Sequence, residues 1–222
     1  MKKEALIFFF RHPEKGMVKT RLAAALGDDF VFELYNNFIY DMLDACASVD
    51  ADTVLAVSGG ANADGSGFYG KYICIGQRGN DLGGRMFNAF IDVNTLGYSR
   101  MVLIGSDIPD LPAEMLMDAF AKLDNYDVVL GPSPDGGYYL IGLRGEIMDG
   151  AIFENVPWGT ALVFKRTMEN IIAKGLSCDT LSTWNDIDDF DDLKKFYNDN
   201  LKKNTAYHTM RFLKKNKRLV SG

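Results

Sequence analysis

The chain has 222 residues, 47% of them hydrophobic, three cysteines and a net charge of −6 at pH 7. That is enough for one substantial globular domain burying roughly 70% of its unfolded surface. No apolar run approaches the roughly 20 residues of a membrane span, the widely spaced Cys46, Cys74 and Cys178 form no zinc-type pattern and read as reduced core residues of a cytoplasmic protein, and the acidic balance argues against nucleic-acid binding.

The first segment, Met1 to Arg11, is basic and then apolar. Its apolar run stops after six residues with no small-residue cleavage site behind it, so Ala5–Phe10 reads as a first strand and not as a signal peptide. The loop that follows, Phe10-Arg-His-Pro-Glu-Lys-Gly-Met-Val-Lys-Thr-Arg-Leu22, places Arg11, Lys15, Lys19 and Arg21 between that strand and a predicted helix. Cations and free backbone N–H groups there suit a phosphate; a solvated basic edge is the plainer alternative. It is not a Walker A loop, because the glycine pair and the Gly-Lys-Ser/Thr ending are absent.

Val31, Leu34, Tyr35, Phe38, Ile39, Met42, Leu43 and Cys46 recur at helical spacing and predict a helix over Phe30–Cys46. Thr53–Val57 and Tyr72–Ile75 read as short strands on either side of a glycine-rich loop, Ser58–Gly67. The turn Gln77-Arg-Gly-Asn-Asp-Leu-Gly-Gly-Arg-Met86 lets backbone approach a ligand before a helix over Arg85–Val93. Met101–Ile104 is a buried strand that delivers Asp107 onto a turn shaped by Pro109 and Pro112. In an open α/β sheet, ligands sit at the carboxyl ends of strands, where such a carboxylate can bind a hard divalent cation; Asp107 can equally cap the helix predicted at Ala113–Leu123.

Two further strands, Asp127–Leu130 and Tyr138–Leu143, flank Gly131-Pro-Ser-Pro-Asp-Gly-Gly137, where Asp135 lies beside permissive backbone or simply closes a tight turn. A helix over Ala161–Lys174, a strand over Ser177–Leu181 and a helix over Asp189–Asn200 complete the pattern. Just before the last, Trp184-Asn-Asp-Ile-Asp188 sets Asp186 and Asp188 at alternating positions, on one side of an extended chain. Alternating strands and helices predict a three-layer α/β/α domain with a mostly parallel sheet over residues 1–201. Residues 202–222 carry seven Lys or Arg and no acid, leaving 17 basic against 30 acidic residues before them. They predict a basic, amphipathic helical tail with Tyr207, Met210, Phe212 and Leu213 partly buried.

Taken together, the segments Arg11–Leu22, Asp81-Leu-Gly-Gly-Arg-Met86, Gly105-Ser-Asp-Ile-Pro-Asp-Leu111, Gly131–Leu140, Val156-Pro-Trp-Gly-Thr160 and Asp186-Ile-Asp188 resemble a family of small nucleotide-diphospho-sugar transferases. That family has the glycosyltransferase-A fold, and some members are assigned to arsenosugar biosynthesis. The resemblance runs in order over about residues 5–195 and extends more distantly to molybdenum-cofactor nucleotidylyltransferases and phospholactate guanylyltransferases. It implies a nucleotide-diphosphate site, usually with Mg²⁺ or Mn²⁺.

On this resemblance, Asp107 matches the metal-binding aspartate after the central strand, with Asp186 and Asp188 as the second acidic position of the metal site. Arg11, Gly16, Lys19 and Arg21 match the phosphate loop; Gln77, Asp81 and Gly83 fall near the base or ribose; Asp135, Tyr138 and Trp158 fall near the acceptor. There are two departures. The Asp-x-Asp motif is incomplete, since Gly105 precedes Ser106-Asp107, and the phosphate loop lacks the dense glycines of sugar pyrophosphorylases. The implied activity is metal-dependent glycosyl transfer from a nucleotide-diphospho-sugar to a small hydroxyl acceptor, with Asp107 and Asp135 as catalytic residues and Asp135 as acceptor base. The alternatives are nucleotidyl transfer from a nucleoside triphosphate to a phosphorylated acceptor, and nucleotide-sugar binding without turnover.

Overall fold

The computed structural model describes residues 3–59 and 70–220; most of the glycine-rich loop predicted at Ser58–Gly67, with Met1, Lys2 and the last two positions of the tail, lies outside the described residues. In chain order the elements are β1 (Glu4–Arg11), α1 (Thr20–Leu26), α2 (Asp28–Ala47), β2 (Asp52–Ser58), β3 (Ile73–Gly76), α3 (Leu82–Thr95), β4 (Arg100–Ile104), α4 (Ala113–Lys122), β5 (Val128–Pro132) and β6 (Tyr138–Arg144). A 3-10 turn (Gly150–Phe153), α5 (Val163–Ala173), β7 (Cys178–Thr180), α6 (Phe190–Asn200), α7 (Tyr207–Lys215) and α8 (Lys217–Val220) follow.

Among the described residues, seven strands form one sheet in the order β3-β2-β1-β4-β6-β5-β7. All neighbouring pairs are parallel except those of β6, which runs antiparallel to both β4 and β5. β1 shows why its sequence is apolar without alternation. Leu6, Phe8 and Phe10 enter the core beneath α1, α2, α4 and α6, whereas Ala5 and Ile7 enter the core beneath α3 and α5. A strand buried on both faces needs apolar residues at successive positions. Fully burying a side chain such as Phe8 or Leu6 contributes about 1.5–3 kcal/mol each.

The chain turns back on itself at β1. From β1 it builds outward through β2 to β3, then returns to lay β4 on the other side of β1. The carboxyl ends of β1 and β4 therefore open a crevice at a topological switch point, the usual place for a ligand in such a sheet.

The basic tail is docked rather than merely solvated. Met210 and Leu213 of α7 share the core with α2, and the buried carboxylate of Asp41 on α2 accepts the backbone N–H of both His208 and Thr209 at 2.8 Å. That carboxylate satisfies two of the otherwise unpaired donors of the first turn of α7. Tyr207, expected to be partly buried, is 63% exposed; the buried positions of α7 are Thr209, Met210 and Leu213. No helix of the described residues is long and apolar enough to cross a membrane.

Candidate functional site

The crevice at the switch point is a cleft of about 480 Å³, within the usual range for small-molecule sites. Its walls include Arg11 from the end of β1, Lys19 before α1, Gln77 after β3, Ser106 and Asp107 after β4, and Asp186. Leu82 and Met86 on α3 and Tyr138 on β6 add an apolar side.

Asp107 and Asp188, 81 positions apart in sequence, are brought to one point by the backbone. The N–H of Ile187 donates to the carbonyl of Asp107 at 2.9 Å, so the segment before α6 lies across the loop after β4. Lys19 fills the space between them. Its Nζ stands 2.9 Å from Asp107 Oδ2, 3.0 Å from Asp188 Oδ1 and 2.6 Å from the carbonyl of Ile187. The side chain is only 8% exposed. Lys19 also sits in the left-handed region, with φ 47°, at the N-cap of α1, a conformation that costs a non-glycine residue about 1 kcal/mol or more and persists only where surrounding contacts hold it. Burial pulls the ammonium pKa down, but Asp107 and Asp188 outweigh burial and hold it above the ordinary lysine value, so Lys19 is a cation at neutral pH.

The other anchors are hydroxyls and amides. Tyr35, on the buried face of α2, donates to or accepts from Ser106 Oγ at 3.0 Å and donates to the carbonyl of Arg11 at 3.2 Å, tying the ends of β1 and β4 together. Ser106 Oγ also lies 3.1 Å from Asp107 Oδ1, and its single proton is shared between that carboxylate and the Tyr35 hydroxyl. Gln77 spends its amide nitrogen on the carbonyls of Phe10 and Ala56, so its side chain is fixed at the cleft wall. Burial, together with the charges of Asp188 and Asp135, pushes the carboxyl of Asp186 up to about 6.

Not every residue expected at the site reaches it. Arg21 is at the rim, its Nη1 3.9 Å from Asp188 Oδ2 and its side chain 77% exposed. Gly16 is exposed in the loop, with φ 77°. Asp81 caps α3, accepting from the N–H of Gly84 at 2.7 Å. Gly83 and Trp158 lie behind the wall: a Cβ on Gly83 would come within 2.6 Å of the Trp158 ring, which meets Tyr138 edge-on at 6.3 Å. Asp135 is turned into its own loop, where Ser133 Oγ and the N–H of Gly137 bind its carboxylate. It does not line the cleft. Tyr35, Ser106, Leu82, Arg85 and Met86 do, and none was singled out from sequence. In the sequence Tyr35 is one more apolar position of α2, while Ser106 lies within Gly105–Leu111 and Leu82, Arg85 and Met86 within Asp81–Met86.

A divalent cation was expected at Asp107, Asp186 and Asp188. Such an ion takes oxygen ligands at about 2.0–2.6 Å, but the point that Asp107 and Asp188 both face is held by Lys19 Nζ. Among the described residues, no group of three or more His, Cys, Asp or Glu side chains is arranged to hold an ion. The residues in this arrangement do not fit a preformed Mg²⁺ or Mn²⁺ site.

A mixed sheet with an inserted antiparallel strand, helices on both faces and a cleft at the β1/β4 switch point define a glycosyltransferase-A-like fold, shared with nucleotidyltransferases. The chain belongs to the family described as "uncharacterized protein conserved in bacteria" (DUF2064), whose model matches residues 42–160. A solved structure from Desulfovibrio desulfuricans G20, described as a "putative nucleotide-diphospho-sugar transferase", is 35% identical with a TM-score of 0.90, over 100% of this chain and 98% of its own. The inositol-1-phosphate CTP transferase of T. maritima is 16% identical with a TM-score of 0.54, over 91% of this chain and 97% of its own. A cytidylyltransferase from Leptospira borgpetersenii serovar Hardjo-bovis is 14% identical, also with a TM-score of 0.54, over 99% and 97%. The last two are likenesses of fold alone. No curated protein matches the chain.

Proposed function

We propose that this chain transfers a sugar from a nucleotide-diphospho-sugar to a small hydroxyl acceptor. The observation that carries the reading is Arg11: it lines the switch-point cleft at the end of β1, and its guanidinium makes no ion pair with any of the described residues. Arginine binds phosphate oxygens through a planar fork of donors, and one without an ion-pair partner among the described residues, at the carboxyl end of β1, suits a diphosphate. The 35% identical relative, described in the same terms over its whole length, supports the choice of donor.

In this reading Arg11 holds the diphosphate, with Arg21 at the rim. Gln77 meets the base or ribose, and Leu82, Met86 and Tyr138 shield the reacting centre from water. The acceptor oxygen attacks the anomeric carbon while the bond from that carbon to the β-phosphate oxygen breaks, and the electron pair leaves with the nucleoside diphosphate. The positive charge of Arg11 stabilises that leaving oxygen. The acceptor proton goes to Asp186, which replaces Asp135 in this role because it lines the cleft and Asp135 does not.

The test is product identity. The chain is incubated with a panel of nucleotide-sugars and small alcohols, and the expected product is nucleoside diphosphate, with turnover falling roughly 10²–10⁴-fold in Asp186→Asn, the usual contribution of a general base. Pyrophosphate released from a nucleoside triphosphate with a phosphorylated acceptor would replace this reading by nucleotidyl transfer. Neither product across the panel would leave a nucleotide-sugar-binding protein.

A further inference from the structure

We propose that Lys19 is a resident counter-ion that closes Asp107 and Asp188 to divalent cations while the cleft is empty, and that it is not the phosphate ligand its sequence position suggests. The inference is independent of which group the enzyme transfers. It rests first on a count of protons. A lysine ammonium has three N–H donors and no acceptor, and Lys19 Nζ has three oxygens around it within 3.0 Å: Asp107 Oδ2, Asp188 Oδ1 and the Ile187 carbonyl. Two of these contacts, to Asp188 and Ile187, are hydrogen bonds and the third, to Asp107, is an ion pair, so the ammonium is surrounded by acceptors inside the protein. A phosphate approaching Lys19 would have to break one of those contacts, two of which are charge-assisted.

The same three oxygens are the hard ligands that Mg²⁺ or Mn²⁺ prefers: two carboxylates and one backbone carbonyl. Lys19 therefore stands where a divalent ion would sit. The two cannot share the position, because an ion within bonding distance of Asp107 and Asp188 would lie against a buried ammonium of like charge. Removing the ammonium would leave two carboxylates no farther apart than the sum of their distances to Nζ, with Arg21, 3.9 Å from Asp188 on one side, as partial compensation. That residual negative pair, with the Ile187 carbonyl held in place by the Asp107–Ile187 backbone hydrogen bond, is a cation site created by the loss of a cation.

The structure also shows how the lysine is kept there. Its backbone is left-handed at the N-cap of α1, and its side chain is held between Asp107, Asp188 and the Ile187 carbonyl. The exposed cations of the loop are elsewhere: Lys15 pairs with Asp29 and Arg21 stands at the rim. Phosphate contact is left to Arg11 and Arg21, while Lys19 positions Asp107 and the segment at Ile187–Asp188.

The experiment is a Mn²⁺ titration of the full chain without nucleotide, read by loss of the free-ion electron paramagnetic resonance signal. The wild type should bind Mn²⁺ no more tightly than Asp107→Asn. Lys19→Ala should bind at least about tenfold more tightly than wild type, the double variant Lys19→Ala/Asp107→Asn should lose that gain, and Lys19→Arg, which keeps the charge, should show no gain. A wild-type Mn²⁺ site that disappears in Asp107→Asn overturns the proposal, and this comparison holds even if Lys19→Ala fails to fold. A folded Lys19→Ala with unchanged Mn²⁺ affinity overturns it as well.

Discussion

Tyr35→Phe probes whether the site is built by the strand ends or by the helix above them. The substitution removes one oxygen from a side chain that is 4% exposed and leaves the ring packing of α2 unchanged. Two partners lose by it, the carbonyl of Arg11 at 3.2 Å and Ser106 Oγ at 3.0 Å. Each hydrogen bond contributes about 0.5–1.5 kcal/mol net, and a buried polar group left without a partner costs about 1–3 kcal/mol. Ser106 keeps its contact with Asp107, so the Arg11 carbonyl bears most of the penalty, and the expected loss is about 2 kcal/mol. For a chain of this size that lowers the melting temperature by roughly 4–8 °C. The functional consequence should be separate from the stability loss. At a temperature where both proteins are folded, the variant should bind nucleoside diphosphate more weakly, because the ends of β1 and β4 are no longer tied. Differential scanning calorimetry and isothermal titration calorimetry read the two effects. A variant with wild-type melting temperature and wild-type nucleotide affinity would refute the claim that Tyr35 organises the cleft.

Three further outcomes follow from the structure. Gly136→Ala should cost about 2–4 kcal/mol in urea unfolding, because its φ of 89° disfavours a side chain and a Cβ would come within 2.2 Å of the Ala161 carbonyl oxygen. Asp186, with its carboxyl pushed up to about 6 by burial and by Asp188 and Asp135, binds a proton more tightly folded than unfolded. Wild-type stability in metal-free buffer should therefore fall as pH rises from about 4 to above 6, by about 1–2 kcal/mol after screening, relative to Asp186→Asn, as measured by denaturant midpoints across that range. Asp41→Ala should destabilise by about 1–3 kcal/mol and raise hydrogen exchange in α7 before the sheet, since it removes the acceptor of the His208 and Thr209 N–H groups.

The elements that could be read from sequence are those whose burial is written locally. β1 and β4 are unbroken apolar runs because both their faces are covered, and α2 carries its apolar stripe at helical spacing. The antiparallel insertion of β6 between β4 and β5 was not legible, because strand order depends on partners far apart in the chain. The site divides in the same way. Asp107 follows from a strand that ends at a turn with Pro109, and Asp186 and Asp188 from their spacing before a capped helix. That Lys19 would spend its charge on Asp188, 169 positions away, has no local signal. Asp135 was misleading because Gly136 and Gly137 suggest room for a ligand, whereas Gly136 makes room for the Ala161 backbone and Gly137 for the Asp135 carboxylate itself. Trp158 likewise packs on Gly83 instead of facing the cleft.

The central claim is that the cleft between the ends of β1 and β4 binds a nucleoside diphosphate through Arg11. The most direct measurement is thermal unfolding of the wild type and Arg11→Ala against nucleoside diphosphates of each base, at concentrations up to the millimolar range. A ligand at 100 times its dissociation constant stabilises by about 2.7 kcal/mol, roughly 5–10 °C for a chain of this length. The account predicts a shift of that size for one base, with affinity weakened by about 1.5–3 kcal/mol in an Arg11→Ala variant that melts near the wild-type temperature without ligand. A folded wild type whose melting temperature no nucleoside diphosphate moves, or a shift that Arg11→Ala leaves unchanged, would contradict it.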